Sequence, residues 1–574
     1  MLYFIAVWTL LSIVCWLTGT ALLNSLKANI FVRLGDRSII SLWLGVVFLS
    51  IALLATSFIF ALSSWVGGLV AAILGFLSLL SPKVRCEIAI LRSHLTPSVL
   101  VGILTLSIGV AALTTRQVTW IDTGLYHYGA IRWLSEFGAV PGIALLSKQL
   151  GFASAWFALA APLNAVFLEG RASAVTNGFV IFLASLHCIV CLTQGFAKKS
   201  KISDWFIVFF LFIVISGSVA TRLLSTVLIS PSPDIPVIFL TGVVAWVILV
   251  SSDSINSTQL KHPVLYADLI PLILAIGATS IKLTALPLLF VTSLVYLFGR
   301  RFSSRRFLVG SVVSILLLLP ILFFGATNSG CLLYPSPLLC LDVPWAITSH
   351  EAQALGEVTR GWGSWFGSPP SQANSSLWLF WQWFNSISSS KLIVLLVGIS
   401  IASTGYVIKE SRAKQNFSYC WILILAFVGS AFTLSQAPLL RFGIGYFVLL
   451  PTLLAALLFQ SQLQISLARI TNRPLSSWQL KKLQHQSLFI SLLLAAMVGT
   501  SLTSQGVRSR LLLPPQVVQV EVVEKQINDV TYFSPKNQKG ACWAAELPCT
   551  NQPDRAIRLR NPEHGVQAGF SRQL

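Results

Sequence analysis

The sequence predicts an all-α polytopic membrane protein with about fourteen transmembrane helices, and three observations carry that reading. Of 574 residues, 55% are hydrophobic and 10% charged, at a mean hydropathy of +0.79. Apolar runs of roughly 16 to 24 residues recur along the chain, and short basic clusters separate them. A typical globular chain is about a quarter charged, so a soluble enzyme is excluded. The net charge of +20 would fit a nucleic-acid binder if it formed a basic stripe with interleaved aromatics. None is present, so the expected partner is the lipid bilayer and not nucleic acid.

Taken in order, the spans begin near residues 2, 39, 64, 97, 174, 203, 235, 266, 283, 307, 391, 418, 441 and 486. Met1 to Asn24 has the hydrophobicity of a signal sequence but neither a basic leader nor an obvious small-residue cleavage site, so it reads as a retained anchor. The two runs either side of Lys282 are short. The apolar run 152–168 is ambiguous by length, and charge decides it. Loops 25–38, 83–96, 195–202, 251–265, 299–306, 409–417 and 461–485 hold 21 of the 39 Lys and Arg, among them Lys198, Lys199, Lys201, Arg300, Arg301, Arg305 and Arg306. All seven lie on the cytoplasmic side only if 152–168 does not cross. It is therefore expected as an outer-surface or re-entrant helix, in a multi-pass protein of a bacterial inner membrane with both termini external.

Four regions follow. Residues 1–115 hold the N-terminal spans, 116–173 form an external loop with interfacial helices, 174–505 form the transmembrane body with an external loop at 326–390, and 506–574 form an external tail. The tail reads as short strands and turns around one disulfide, a small tethered module. Cys331 and Cys340 in the external loop, and Cys542 and Cys549 in the tail, make two disulfide pairs in an oxidising exterior. Cys15, Cys86, Cys188, Cys191 and Cys420 fall in spans or on the reducing side; Cys188 and Cys191 form a C-x-x-C better explained by packing than by redox or metal chemistry. Neither the cysteines nor the seven histidines give a metal site by spacing. No internal repeat is evident. The sequon Asn374-Ser375-Ser376 reads as a polar loop.

Ionisable residues at span ends are costly in apolar surroundings and mark functional sites. Here they favour one face. Asp122 and His127 follow the fourth span in TWIDTGLYHYGAIRWLSEFGAVPG, Asp234 precedes the seventh in SPSPDIP, Lys282 sits at a hairpin tip in ATSIKLTALP, and Arg441 opens a span in SQAPLLRFGIGY. Each also has a structural reading. Asp122 suits a cap for a surface helix whose Leu125, Tyr128, Ile131 and Leu134 would lie on the membrane. Asp234 suits a turn between prolines, His127 a satisfied interfacial histidine, and Lys282 and Arg441 snorkelling cations. Tyr126, Tyr128, Trp133 and Trp156 suit an aromatic belt. The Cys331–Cys340 loop, with Tyr334-Pro335 inside it, suits either a lid over the site or a stapled loop.

Gathered in one cavity, these groups fit lipid-phosphate chemistry. Lys282 and Arg441 would balance a phosphate, with Tyr126 and Tyr334 beside it, and a carboxylate would take a proton from an attacking hydroxyl.

The order Asp122, Tyr126-His127, an Arg-bearing interfacial helix, Pro141-Gly142, a second outer helix ending in Gly170-Arg171, and then the next crossing resembles the first external loop of GT-C glycosyltransferases. That resemblance implies sugar transfer from a polyprenyl-phosphate donor at the external leaflet to a glycan or lipid acceptor, by inversion, with Asp122 as base and Asp234 as a second external acid. It implies no cofactor, and the lack of an adjacent acidic pair in the first loop argues against a metal-dependent mechanism. The three spans before the loop depart from the usual core. The segments IDTGLYHYGAIRWLSEFGAVPG, SPSPDIP, SIKLTALP, NSGCLLYPSPLLCLDVPW, APLLRFGIGY and ACWAAELPC, spread over nearly the whole chain, resemble a family of uncharacterised bacterial membrane proteins of cyanobacterial type. Two rivals share the composition. A lipid-linked sugar transporter or flippase would place polar groups near mid-membrane in repeated halves; a polysaccharide polymerase or ligase would move an assembled glycan.

Overall fold

The computed structural model describes residues 1–164, 168, 171, 173–196, 199–221, 226–257, 266–299, 302–361, 370–371, 375–470, 505–536 and 539–572. The span expected at 486, Asn374, Gly170, Lys198, Arg300 and Arg301 lie outside these residues. Each of the other expected span starts lies on or within a few residues of an apolar helix, though not all of these helices are long enough to cross. Nine helices among the described residues are long and apolar enough to cross a membrane: α1 Leu2–Ser25, α2 Leu34–Thr56, α5 Pro97–Thr114, α9 Val175–Phe196, α11 Asp234–Ser257, α14 Ser304–Ser329, α17 Ser390–Ala413, α18 Ser418–Gln436, and Leu440–Ile470. The last is divided at Val448 into α19 Leu440–Phe447 and α20 Leu449–Ile470. The protein is a helical membrane protein with very little sheet.

Several elements differ from the sequence expectation, each for a physical reason. The span from residue 64 and the loop after it are two helices, α3 Ser64–Leu79 and α4 Pro82–His94, meeting at 94°. Proline opens α4, a position where its missing N–H is no loss. The pair around Lys282, α12 Ile270–Ile281 and α13 Leu286–Phe298, is shorter than the roughly 20 residues a span needs. Every residue of α12 is buried, so protein rather than lipid surrounds it.

The run 152–168 contains a six-residue helix, α8 Ala155–Ala160, and a 3-10 turn, Ala161–Leu163. Six residues rise about 9 Å against a hydrocarbon core of about 30 Å, so α8 does not cross. It is also not a surface helix, because all six of its residues are buried and it packs against α2.

The helix α6 Tyr128–Glu136 is amphipathic, but its Tyr128, Ile131, Trp133 and Leu134 are buried in the protein. With Trp156 buried too, these aromatics form core and not a belt facing lipid. Lipid-facing character belongs instead to α3, α5, α10 Ile202–Ala220 and α14, where Trp65, Phe76, Leu100, Phe212, Leu308 and Leu316 are exposed.

Both expected disulfides, Cys331–Cys340 and Cys542–Cys549, are present, and the five other cysteines are free. The tail forms two antiparallel pairs, β1 Val522–Ile527 with β2 Val530–Pro535, and β3 Ile557–Leu559 with β4 Phe570–Arg572. It is docked rather than merely tethered. Phe570 N–H donates to Pro141 O (2.9 Å), Asp554 N–H to Leu145 O (2.8 Å), and Arg572 N–H to Pro344 O (2.9 Å).

Candidate functional site

Four separate elements deliver the ionisable groups. After α5 the chain forms a π-turn, Thr123–His127, immediately before α6. Wide turns of this kind displace side chains from the regular helical row, and Asp122 sits at its mouth. Its carboxylate accepts from Arg441 Nη1 at 2.7 Å. Arg441 is in the first turn of α19, which begins after Ala437-Pro438 breaks the line from α18.

Asp234 is the first residue of α11, held by the preceding Ser-Pro-Ser-Pro. Ser232 Oγ donates to its carboxylate (3.2 Å), and the Asn177 amide fastens that turn through Ser232 O (3.0 Å) and Ser230 O. Lys282 occupies an extended residue between α12 and the 3-10 turn Leu283–Ala285, just ahead of the proline in α13. Its Nζ pairs with Asp234 Oδ1.

The two ion pairs form one cluster. Arg441 is within electrostatic reach of both Asp122 and Asp234, as is Lys282. One aromatic ring, Phe442, lies under both cations, 4.2 Å from Lys282 Nζ and 4.5 Å from the Arg441 guanidinium, while Trp120 approaches Arg441 at 5.1 Å. Cation–π contact of this kind holds a desolvated cation without neutralising it. Between Asp234 and Arg441 runs a crevice of about 10 Å³, the space of one water. Any larger ligand enters only by parting the pairs.

Tyr126 and His127 complete the cluster. Burial pushes the Tyr126 phenol up, with the Asp122 and Asp234 charges adding to it, so it remains a neutral donor. Burial pushes His127 down to about 3, assisted by Lys282 and Arg441 and opposed by Asp234. The imidazole is therefore neutral at neutral pH. Its Nδ1 lies 3.4 Å from Thr123 Oγ1, and its ring packs against Phe157.

Tyr334 is not in the cluster. It is buried in the Cys331–Cys340 loop, where its hydroxyl donates to Lys148 O (2.9 Å). Its ring meets Phe152, and Phe152 meets Tyr126, each at 5.6 Å between centroids. The disulfide loop therefore touches the cluster through two aromatic rings.

Sequence reasoning missed three supports. Asn177 was visible as an amide within a span, and Phe442 as an aromatic beside a span-end cation. The third has no local signal. The Cys542–Cys549 loop of the tail brings Trp543 onto Gly124, whose carbonyl accepts from Trp543 N–H at 3.0 Å. A Cβ at Gly124 would lie 2.4 Å from the indole, so only glycine admits this contact. The tail thereby bears directly on the turn between Asp122 and His127.

Residues 1–448 match the profile of the family described as a domain of unknown function (DUF8201), and the chain belongs to that family. The matched region contains Asp122, Asp234, Lys282 and Arg441. No curated protein and no solved structure matches the chain.

Proposed function

We propose that this DUF8201 member is a membrane glycosyltransferase of GT-C type, transferring a sugar from a polyprenyl-phosphate donor to a glycan or lipid acceptor in bacterial envelope assembly at the external leaflet. The observation that carries the reading is the convergence of Asp122–Arg441 and Asp234–Lys282 from four elements into one water-poor cluster.

As they stand, the two cations and two carboxylates neutralise each other. A phosphate-bearing donor competes for Arg441 and Lys282, and their transfer to phosphate releases the Asp122 carboxylate. Asp122 then accepts the proton of the acceptor hydroxyl. The acceptor oxygen forms its bond to the anomeric carbon as the bond from that carbon to the phosphate oxygen breaks, with inversion. The departing phosphate keeps the electron pair and is held by Lys282 and Arg441, whose charge counts most where water is excluded. Neutral His127 and Tyr126 supply hydrogen bonds rather than charge.

A lipid route adjoins the cluster. The Trp-rich helix α16 Ser376–Ser386 and spans α17 and α18 enclose an apolar groove of about 530 Å³, lined by Phe380, Trp383, Val397, Leu434 and Pro438. Trp383 Nε1 donates to Pro438 O at 2.7 Å, and Arg441 follows three residues later. A donor whose chain lay in this groove would present its phosphate near Arg441.

The test is Asp122→Asn in a strain whose deletion removes an envelope glycan, combined with transfer by the purified protein in liposomes. Transfer falls by roughly 10²–10⁴-fold, the usual contribution of a general base. Full product formation by Asp122→Asn sinks the reading. Donor translocation without transfer favours a transporter instead, and release of an assembled glycan a polymerase or ligase.

A further inference from the structure

A cavity with a mostly polar lining beside the π-turn lies outside the ionic cluster. It is a cleft of about 470 Å³ between the first loop, the 326–390 loop and the tail, and Leu125 is part of its lining. Leu125 sits on the turn between Asp122 and His127, so the cleft adjoins the segment that carries both.

Its walls are fixed. Thr550 Oγ1 donates to Leu146 O and Asp554 N–H to Leu145 O, both at 2.8 Å, and the Cys542–Cys549 disulfide closes the tail side. The functional groups within it are of two kinds. Gln149, Asn551 and Gln552 present side-chain amides, and Asn551 and Gln552 are exposed, open to a ligand that replaces their water. The lining carries two acids, Glu351 and Asp554, and two cations, Lys148 and Arg555, but the acids are already taken by a further arginine. Glu351 and Asp554 are both engaged by Arg572, at 2.5 Å to Glu351 and through Arg572 Nε at 3.1 Å to Asp554. Lys148 reaches Glu351 only at 3.7 Å. Arg555 has no ion pair among the described residues.

Exposed amides paired with an unneutralised guanidinium suit a ligand rich in hydroxyls that also carries an acidic group. An alkyl chain would leave the amides unsatisfied, which is costly. A purely neutral glycan would leave Arg555 unmatched.

We propose that this cleft binds an acidic oligosaccharide, the acceptor glycan, with Arg555 and Lys148 facing its carboxylate or phosphate and Asn551, Gln552 and Gln149 its hydroxyls. This rests on the glycosyltransferase reading for the word acceptor, but not for the binding itself. The cleft leads the glycan to the turn bearing Asp122, while the lipid donor approaches from the groove beneath α16.

The experiment uses the full-length protein in nanodiscs, with tetragalacturonate as acidic probe and maltotetraose as neutral probe, and binding read by calorimetry. Tetragalacturonate binds saturably and at least about 10-fold more tightly than maltotetraose, and added salt weakens it as a partly exposed charge contact requires. Arg555→Ser weakens binding about 5-fold or more and Gln552→Ala about 3-fold; Arg555 is exposed, so folding is not at risk. Absence of saturable tetragalacturonate binding, or binding that Arg555→Ser and Gln552→Ala leave unchanged, overturns the proposal. Asp122→Asn separates the two ideas. If it binds tetragalacturonate normally but forms no product, both stand. If it forms product while Arg555→Ser loses binding, the glycan site stands and the catalytic reading fails. If it forms no product while Arg555→Ser binds as wild type, the reverse holds.

Discussion

At one end of the helices Arg33 grips Asp204 through two parallel hydrogen bonds of 2.6 and 2.9 Å and Asp36 through a third of 2.7 Å. Beside it Arg37 makes a fork on Glu87 at 2.7 and 2.8 Å and reaches Asn24 Oδ1 and Ala28 O. Arg306 joins Asp268 to Tyr296 O. At the other end Arg441 reaches Asp122 through one nitrogen, and the partner of Asp234 is a lysine with a single flexible ammonium. In the first set Arg33 and Arg37 each fork onto an acid, and Arg37 and Arg306 are also tied to backbone carbonyls; in the second, single contacts rest on a shared aromatic face beside a water-sized crevice. Bidentate, fully bonded arginines fix geometry. Single contacts between a cation and a carboxylate can be exchanged for a ligand's charge. The same residue types thus serve as clamps in one place and as a site in the other.

That contrast breaks most sharply on the acids. Asp204→Ala leaves Arg33 without its main partner, and breaking a buried pair from one side costs about 3–5 kcal/mol, read as a large fall in the detergent melting temperature. Asp122→Asn keeps shape and an acceptor for Arg441, which also retains Asp234 and two aromatic rings. It should cost about 1.5–3 kcal/mol of stability, the range of one hydrogen bond to a charged group, while transfer is lost. Equal melting losses for the two variants would show that both ends are clamps.

Gly124→Ala tests whether the tail belongs to the site end in a mechanical sense. The added methyl meets the Trp543 ring, and overpacking of this kind costs about 1–3 kcal/mol. If the tail sets the π-turn, transfer falls beyond what the stability loss explains, and Gly124→Ala costs less in a Trp543→Ala background than in the wild type, because the clash is already gone. An unchanged melting temperature for Gly124→Ala would show that the indole yields freely.

How much of this was legible in the sequence depended on range. Span positions follow from apolar length, the disulfides from the sidedness of the loops, and the candidate residues from the cost of charge near lipid. Pairing was not legible, because which acid meets which cation depends on helix ends far apart in the chain. The acids of the basic end, Asp36, Glu87, Asp204 and Asp268, escaped notice because a charge count on loops treats them as minor terms. The segment 152–168 and the aromatics of α6 misled for another reason: an apolar residue reads alike whether lipid or protein covers it.

A smaller effect sharpens the clamp side. Arg33→Lys keeps the charge but loses the fork on Asp204, and should cost about 1.5–2 kcal/mol, the low end for one hydrogen bond to a charged group. Arg441→Lys, which had only one contact to Asp122, should melt closer to wild type and show its defect in transfer. If Arg33→Lys melted as wild type, the fork would not be what holds α2 to α10.

The smallest expected effect concerns the docked tail, which belongs to neither end's ion pairs. Partial burial would raise the Glu351 carboxyl, but hydrogen bonds from Arg572 and from the Thr348 N–H and hydroxyl outweigh it and hold the carboxyl down at about 2 against an ordinary 4.5. A depressed carboxylate stabilises the docked form fully above about pH 4.5 and loses that contribution as pH falls through about 2. Because the group is half-exposed and screened by solvent, the contribution is under about 1 kcal/mol. Proteolysis at the β3–β4 region should therefore rise as pH drops from 4.5 toward 2, using an acid-active protease. Glu351→Gln should show the raised cleavage already at neutral pH and little further change on acidification. A variant as resistant as wild type at neutral pH would mean that the backbone bonds to Pro141, Leu145 and Pro344 hold the tail without help from the Glu351–Arg572 pair.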